Sequence, residues 1–154
     1  METKTIEVKV DEAWKNAMQS WNSPSIPELI TARSREDLEN LGEEGRALSG
    51  QLAFMKFPEF QTYMNLEQIT EKLPSDPQRA TNAIVAHEIG HRFCPYDVVT
   101  TIILTNAVKK TLQSEKLPYD INSATQNILN LFTDMCINTR LTQSVNEDIS
   151  WAYE

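Results

Sequence analysis

Histidine is scarce in this chain: only two occur in 154 residues, and they stand four positions apart. Chemistry that needs imidazole therefore has one place to happen. Cysteine is equally scarce, with Cys94 and Cys136 the whole supply. That is too few for the disulfide framework of a small secreted domain, and it agrees with a reducing compartment in which both serve as small buried apolar residues. The chain has no cluster of Lys and Arg and carries a net charge of −8. This argues against nucleic acid and anionic membrane surfaces as partners, because both recruit positive charge. No stretch approaches the roughly 18 apolar residues of a membrane span, and the N-terminal residues Met1 to Thr5 lack the apolar core of a signal peptide. The expected location is the cytoplasm.

What the chain does have is His87-Glu88-Ile89-Gly90-His91, an H-E-x-x-H run inside a helical pattern. Residues four apart on an α-helix lie about 40° from each other around the axis, so both imidazoles project from one face and can share a divalent metal ion. Glu88, about 100° round from His87, reaches the edge of that site without having to be a ligand, where it can take a proton from a water. The bland alternative is an accidental match on a solvated helix. Against it, Ala80, Ala83, Ile84, Val85, Ala86, Ile89 and Phe93 spread apolar side chains around most of the circumference. A buried His-Glu-His set without a partner is costly, and a metal supplies one.

The run resembles the active-site helix of zincin metallopeptidases. Ile84, Val85, Ala86, Ile89, Gly90 and Phe93 agree with the uncharged surroundings of that motif, and Arg92 departs from them. The resemblance implies zinc as cofactor, Glu88 as catalytic base and a peptide or protein substrate. It also implies a minimal zincin-like domain of α+β class, mainly helical, with a small β-hairpin or sheet packed on the active-site helix. At this length a single domain over 1–154 is expected, with an N-terminal helical extension over 1–50, and with the hairpin, metal helix and third-ligand helix in 51–142.

Along the chain, Ile6 to Val10 alternate as a short edge strand, and Asp11 is placed to cap a helix carrying Trp14, Met18 and Trp21. Pro24 and Pro27 break the chain, and Glu28 to Arg46 reads as one or two solvated helices ending near Gly50. Leu52 to Phe57 and Gln61 to Met64 form a hairpin across Pro58-Glu59, a candidate substrate-facing edge or only a cover for the core. Asn65 caps a helix through Leu73; Ser75 caps the metal helix, which runs from Asp76 to Phe93 until Pro95 stops it. Asp97 caps a helix over Val98 to Gln113 with Val98, Ile102, Leu104, Val108 and Leu112 as a buried stripe, and Leu117 to Asp120 connects it to a last helix, Ser123 to Thr142.

A catalytic zinc normally takes three protein ligands and a water, and no third histidine exists, so Asp, Glu or Cys must serve. On the last helix Ile128, Leu131, Phe132 and Met135 cluster on one side, while Asn127, Asn130, Asp134 and Asn138 form a polar strip flanked by Ile137 and Leu141. Asp134, the only acid in that strip, is the candidate third ligand, with Asn130 and Asn138 one turn to either side as its supporting partners. Asp97, Cys94, Glu147 and Asp148 compete. The arrangement resembles gluzincins, in which a later helix supplies an acidic ligand, usually Glu; the shorter Asp134 demands a closer approach of the two helices. Tyr96, Tyr119 and Arg92 are candidate oxyanion donors.

The segments His87 to Asp97 and Asp134 to Leu141 are also similar to bacterial metallopeptidase-like proteins associated with MoxR-type ATPases and von Willebrand A domains, which implies a regulatory ATPase or von Willebrand A partner. The expected activity is zinc-dependent peptide hydrolysis. The alternative is a catalytically silent zincin-derived module that binds metal and regulates or docks. A deformylase-like hydrolase fits less well, since its cysteine ligand lies upstream of the helix and both cysteines here lie downstream.

Overall fold

The computed structural model describes residues 8–22, 27–93, 98–115 and 120–143, together with 148 and 151. Its order is α1 (Val10–Ser20), β1 (Ile30–Ala32), α2 (Arg35–Asn40), α3 (Glu43–Leu48), β2 (Ala53–Lys56), β3 (Gln61–Asn65), α4 (Leu66–Lys72), α5 (Pro77–Gly90), α6 (Val98–Ser114) and α7 (Ile121–Gln143). The class is α+β and mainly helical. None of the described helices is long and apolar enough to cross a membrane.

One three-stranded sheet has the order β1-β3-β2. β2 and β3 form the expected hairpin, antiparallel, with Ala53 opposite Met64 and Lys56 opposite Gln61. β1 joins the other side of β3 in parallel, with Ile30 opposite Tyr63 and Ala32 opposite Asn65. The segment 28–46 is thus not all helix. Ile30 and Thr31 are β-branched, and their strand is only three residues long, too short for an alternation to show. Ser34 then caps α2 by accepting from the Asp37 amide at 3.2 Å.

The first helix also starts differently. Val8 and Lys9 are not in a strand and Val10 is already helical, so the part of the Ile6 to Val10 strand that is described does not form. Lys9, not Asp11, is the N-cap residue. The Lys9 amide donates to Gln78 Oε1 at 2.7 Å, which ties the start of α1 to α5, and no side chain caps the helix. Asp11 and Glu12 sit in the first turn, where the helix dipole favours negative charge.

α1 is no appendage. Its Ala13 and Ala17 are buried against α5, and small side chains let the two helices run close together. Trp21 follows, 3% exposed, and its indole Nε1 donates to the Ala86 carbonyl at 2.8 Å. The main core joins these residues to Met64, Leu66, Ile69, Ala80, Ala83, Val85, Ala86, Ile89, Ile137 and Leu141. Ala32, Leu48 and Tyr63 make a smaller cluster beneath α2 and α3.

Asn65 caps α4 as expected, accepting from the Gln68 amide at 3.0 Å. The cap of α5 is Asp76 rather than Ser75: its Oδ1 accepts from the Arg79 amide at 3.0 Å, and Pro77 occupies the first turn, where its missing N–H costs nothing.

The stripe expected to be buried on α6 is covered only in part: Leu104, Val108 and Leu112 are half-buried, but Ile102 is 55% exposed. The Val98 side chain lies outside the described set. On α7 the cluster Ile128, Leu131, Phe132 and Met135 is exposed, while Ile137 and Leu141 make the packing contacts.

Candidate metal centre

α5 is buried along most of its length, through Ala80, Thr81, Ala83, Val85, Ala86, Ile89 and Gly90. The regular helix ends at Gly90, short of the expected Phe93. From there the His91, Arg92 and Phe93 amides donate to the carbonyls three residues back, at 3.1, 3.0 and 2.9 Å, a tightened last turn. His91 keeps helical backbone angles as the C-cap, so the four-residue relation to His87 survives. Phe93 is partly exposed and stacks on Trp21, with ring centroids 5.4 Å apart.

Gly90 is the reason α7 can lie so near. A Cβ at this position would stand 2.5 Å from Ile137 Cγ2 and 2.8 Å from a ring carbon of Trp21. The absence of a side chain lets Ile137 seat directly on the α5 backbone. Asp134, one turn earlier on α7, is thereby brought level with the histidines. This is the close helix approach that a short carboxylate needs.

The resulting geometry is compact. Asp134 Oδ1 stands 3.5 Å from His87 Nε2 and 3.6 Å from His91 Nε2. His87 Nδ1 is 2.8 Å from Asn138 Oδ1. With Nδ1–H donating to that oxygen, His87 Nε2 is left as an acceptor and faces the Asp134 side-chain oxygen. Two acceptors turned toward each other ask for a cation between them. Ligands on a tetrahedron about 2.0–2.1 Å from zinc stand roughly 3.4 Å apart, close to the two nitrogen–oxygen separations here. A metal-bound histidine also commonly donates its other ring N–H to an oxygen, the role Asn138 takes.

His87, Glu88 and His91 each place a ligand-type atom within 4.8 Å of the others, a set that leaves Asp134 out, so Glu88 competes with Asp134 for the third position. Asp134 is better placed, since one of its oxygens is almost equidistant from both imidazoles. Burial, and then the Asp134 charge, push the Glu88 carboxyl up to about 8. Burial, and then the neighbouring His87, push His91 down to about 4, so its imidazole is neutral and available as a ligand at neutral pH.

Asn130 does not support Asp134; it accepts from Gln126 Nε2 at 2.8 Å and lines a cleft of about 230 Å³ beside His91. Phe57, Thr101, Leu104 and Leu129 line the same cleft. Arg92 lays its guanidinium 3.8 Å from the Phe60 ring centroid, on the hairpin loop. Asp148 is engaged by Arg79 Nε at 3.0 Å and Asn82 Nδ2 at 2.9 Å, which removes it as a ligand. Cys94, Tyr96, Asp97, Tyr119 and Glu147 lie outside the described residues. Trp21 and Phe57 went unnoticed from sequence as neighbours of the site. Trp21 read only as one apolar position of an amphipathic helix, and Phe57 only as the end of a strand.

No protein-family model matches the chain, and no curated protein or solved structure does either.

Proposed function

We propose that this chain is a zinc-dependent peptide hydrolase with a minimal zincin-like domain. The observation that carries the reading is the convergence of His87 Nε2 and His91 Nε2 on one oxygen of Asp134, with the half-buried Glu88 beside them. His87, His91 and Asp134 would hold the metal, and Asn138 would orient His87. Zinc bound there supplies Lewis acidity, lowering the pKa of a coordinated water and polarising a carbonyl.

The chain's own residues do the rest. Glu88 takes a proton from the attacking water and returns it to the leaving amine. Its raised pKa suits both halves of the task, because a base near the working pH also serves as an acid. The entry of a cation beside Asp134 offsets the negative charge that helps raise it. β2 is an edge strand packed against α5, and Phe57, just beyond it, lines the cleft beside His91. An extended peptide can pair along such an edge and present a side chain to the cleft, which favours peptide over small-molecule substrates.

The test is hydrolysis of a fluorogenic peptide library by the zinc-loaded chain and by Glu88→Gln. Loss of about 10²–10⁴-fold in rate with zinc content unchanged is expected. Equal rates would refute Glu88 as the base. No cleavage by zinc-loaded wild type would leave a metal-binding module instead.

A further inference from the structure

The metal site does not use the outer face of α6 and α7, and that face is unusual. Val99, Ile102 and Ile103 on α6 are 66, 55 and 61% exposed; Ile128, Leu131 and Met135 on α7 are 42, 62 and 59% exposed. Their spacings, 3 and 4 on one helix and 3 and 7 on the other, put each set on one stripe. At about 100° per residue both stripes fall on the far side from the cleft-lining Thr101, Leu104, Thr105, Leu129, Asn130 and Thr133. The two helices pack side by side, so the stripes lie on one layer.

We propose that this face is the interface of a symmetric homodimer, in which two α6–α7 pairs close a four-helix layer. Size is the first argument. The six side chains present on the order of 600 Å², and exposed Asn106, Asn127 and Thr139 extend the face toward the roughly 800 Å² that each partner contributes to a standard interface. The stripes also have the spacing that helices pack against one another in bundles.

Charge selects the occupant. Residues 99–108 and 121–139 contain a single residue of the Asp, Glu, Lys, Arg and His types, Asp134, and it points at the histidines. A basic partner would find no acidic rim to recognise on this face. An anionic membrane needs Lys and Arg along the apolar stripe, whereas here Lys109 and Lys110 stand at one end of it, beyond Asn106, and none lies among the six apolar side chains. Two copies that each carry −8 repel, and they repel least across a surface without acids; the six apolar side chains make such a surface, with Lys110 at its end. A two-fold axis sets each stripe against its equivalent, so one patch serves both partners.

Sedimentation of the full chain tests this, over about 1 to 300 µM at about 0.05 and 0.5 M salt, the range in which a micromolar dissociation constant is readable. The weight-average mass should rise from the 17.6 kDa of one chain toward twice that value. Salt should tighten the dimer by screening the like net charges. Leu131→Glu should weaken it by at least about thirtyfold, the effect of a central interface residue. Circular dichroism checks that the variant is folded, and Ile103→Glu takes its place if it is not. A chain that stays monomeric at both salt levels overturns the proposal. So does a dimer that salt weakens, or one that neither substitution disturbs.

Discussion

Gly90→Ala isolates the step that joins fold to site. Alanine normally stabilises a helix by about 1 kcal/mol over glycine. Here the added methyl would meet Ile137 Cγ2 at 2.5 Å and the Trp21 ring at 2.8 Å, where ordinary contact begins near 3.4 Å. Relief requires α7 to withdraw from α5 by roughly 1 Å, and overpacking of this kind costs about 1–3 kcal/mol. The net loss is therefore about 0–2 kcal/mol, a fall of up to about 8 °C in the melting temperature of a metal-free domain this size. The larger effect should fall on the metal. Metal–ligand distances tolerate about 0.2 Å, so a withdrawal several times larger takes Asp134 out of reach. Zinc affinity, measured by competition with a chromogenic chelator, should drop by more than the about 10–100-fold that loss of an outer partner costs. Ile137→Ala in the same chain removes the closest of the clashing atoms and leaves only the Trp21 contact, so the two substitutions together should cost less than the sum of their separate effects. Wild-type zinc affinity in Gly90→Ala would refute the idea that this contact sets the position of Asp134.

Asn138→Ala should reduce zinc affinity about 10–100-fold while leaving one zinc per chain at saturation, read by the same competition assay. The pH dependence of the metal-free chain has a definite sign. Glu88 is raised from 4.5 to about 8 on folding, so the folded state holds the proton longer, and its contribution to stability is greatest below 4.5, falls as pH rises toward 8 and then levels off. His91 is lowered from 6.5 to about 4, which costs stability only as pH falls below 6.5. Between about pH 6.5 and 8 Glu88 therefore acts alone of the two, and urea titrations with a chelator present should show a loss of up to about 2 kcal/mol, largely absent in Glu88→Gln.

The parts of the site that were legible in the sequence are those set by local periodicity. The four-residue spacing of His87 and His91, the Asp134 and Asn138 half of the polar strip on α7, the Asn65 cap and the hairpin all follow from residues near one another in the chain, and each is found. What went unread depends on distant partners. β1 exists because β3, some thirty residues later, accepts it in parallel. α1 begins where Gln78 meets the Lys9 amide. The α7 helix wheel showed two faces but not which one turned inward. The polar strip turns inward through Asp134 and Asn138, because Ile137 and Leu141 on its flank already fill the space above Gly90. The apolar cluster was left on the outside, where periodicity alone would not place it.

The central claim is that His87, His91 and Asp134 together hold one metal ion. Elemental analysis of the wild-type chain and of Asp134→Ala, both purified without chelators, tests it most directly. The account predicts about one zinc per wild-type chain and a strong loss in the variant. A well-folded wild-type chain without metal, or an undiminished zinc content in Asp134→Ala, would contradict it.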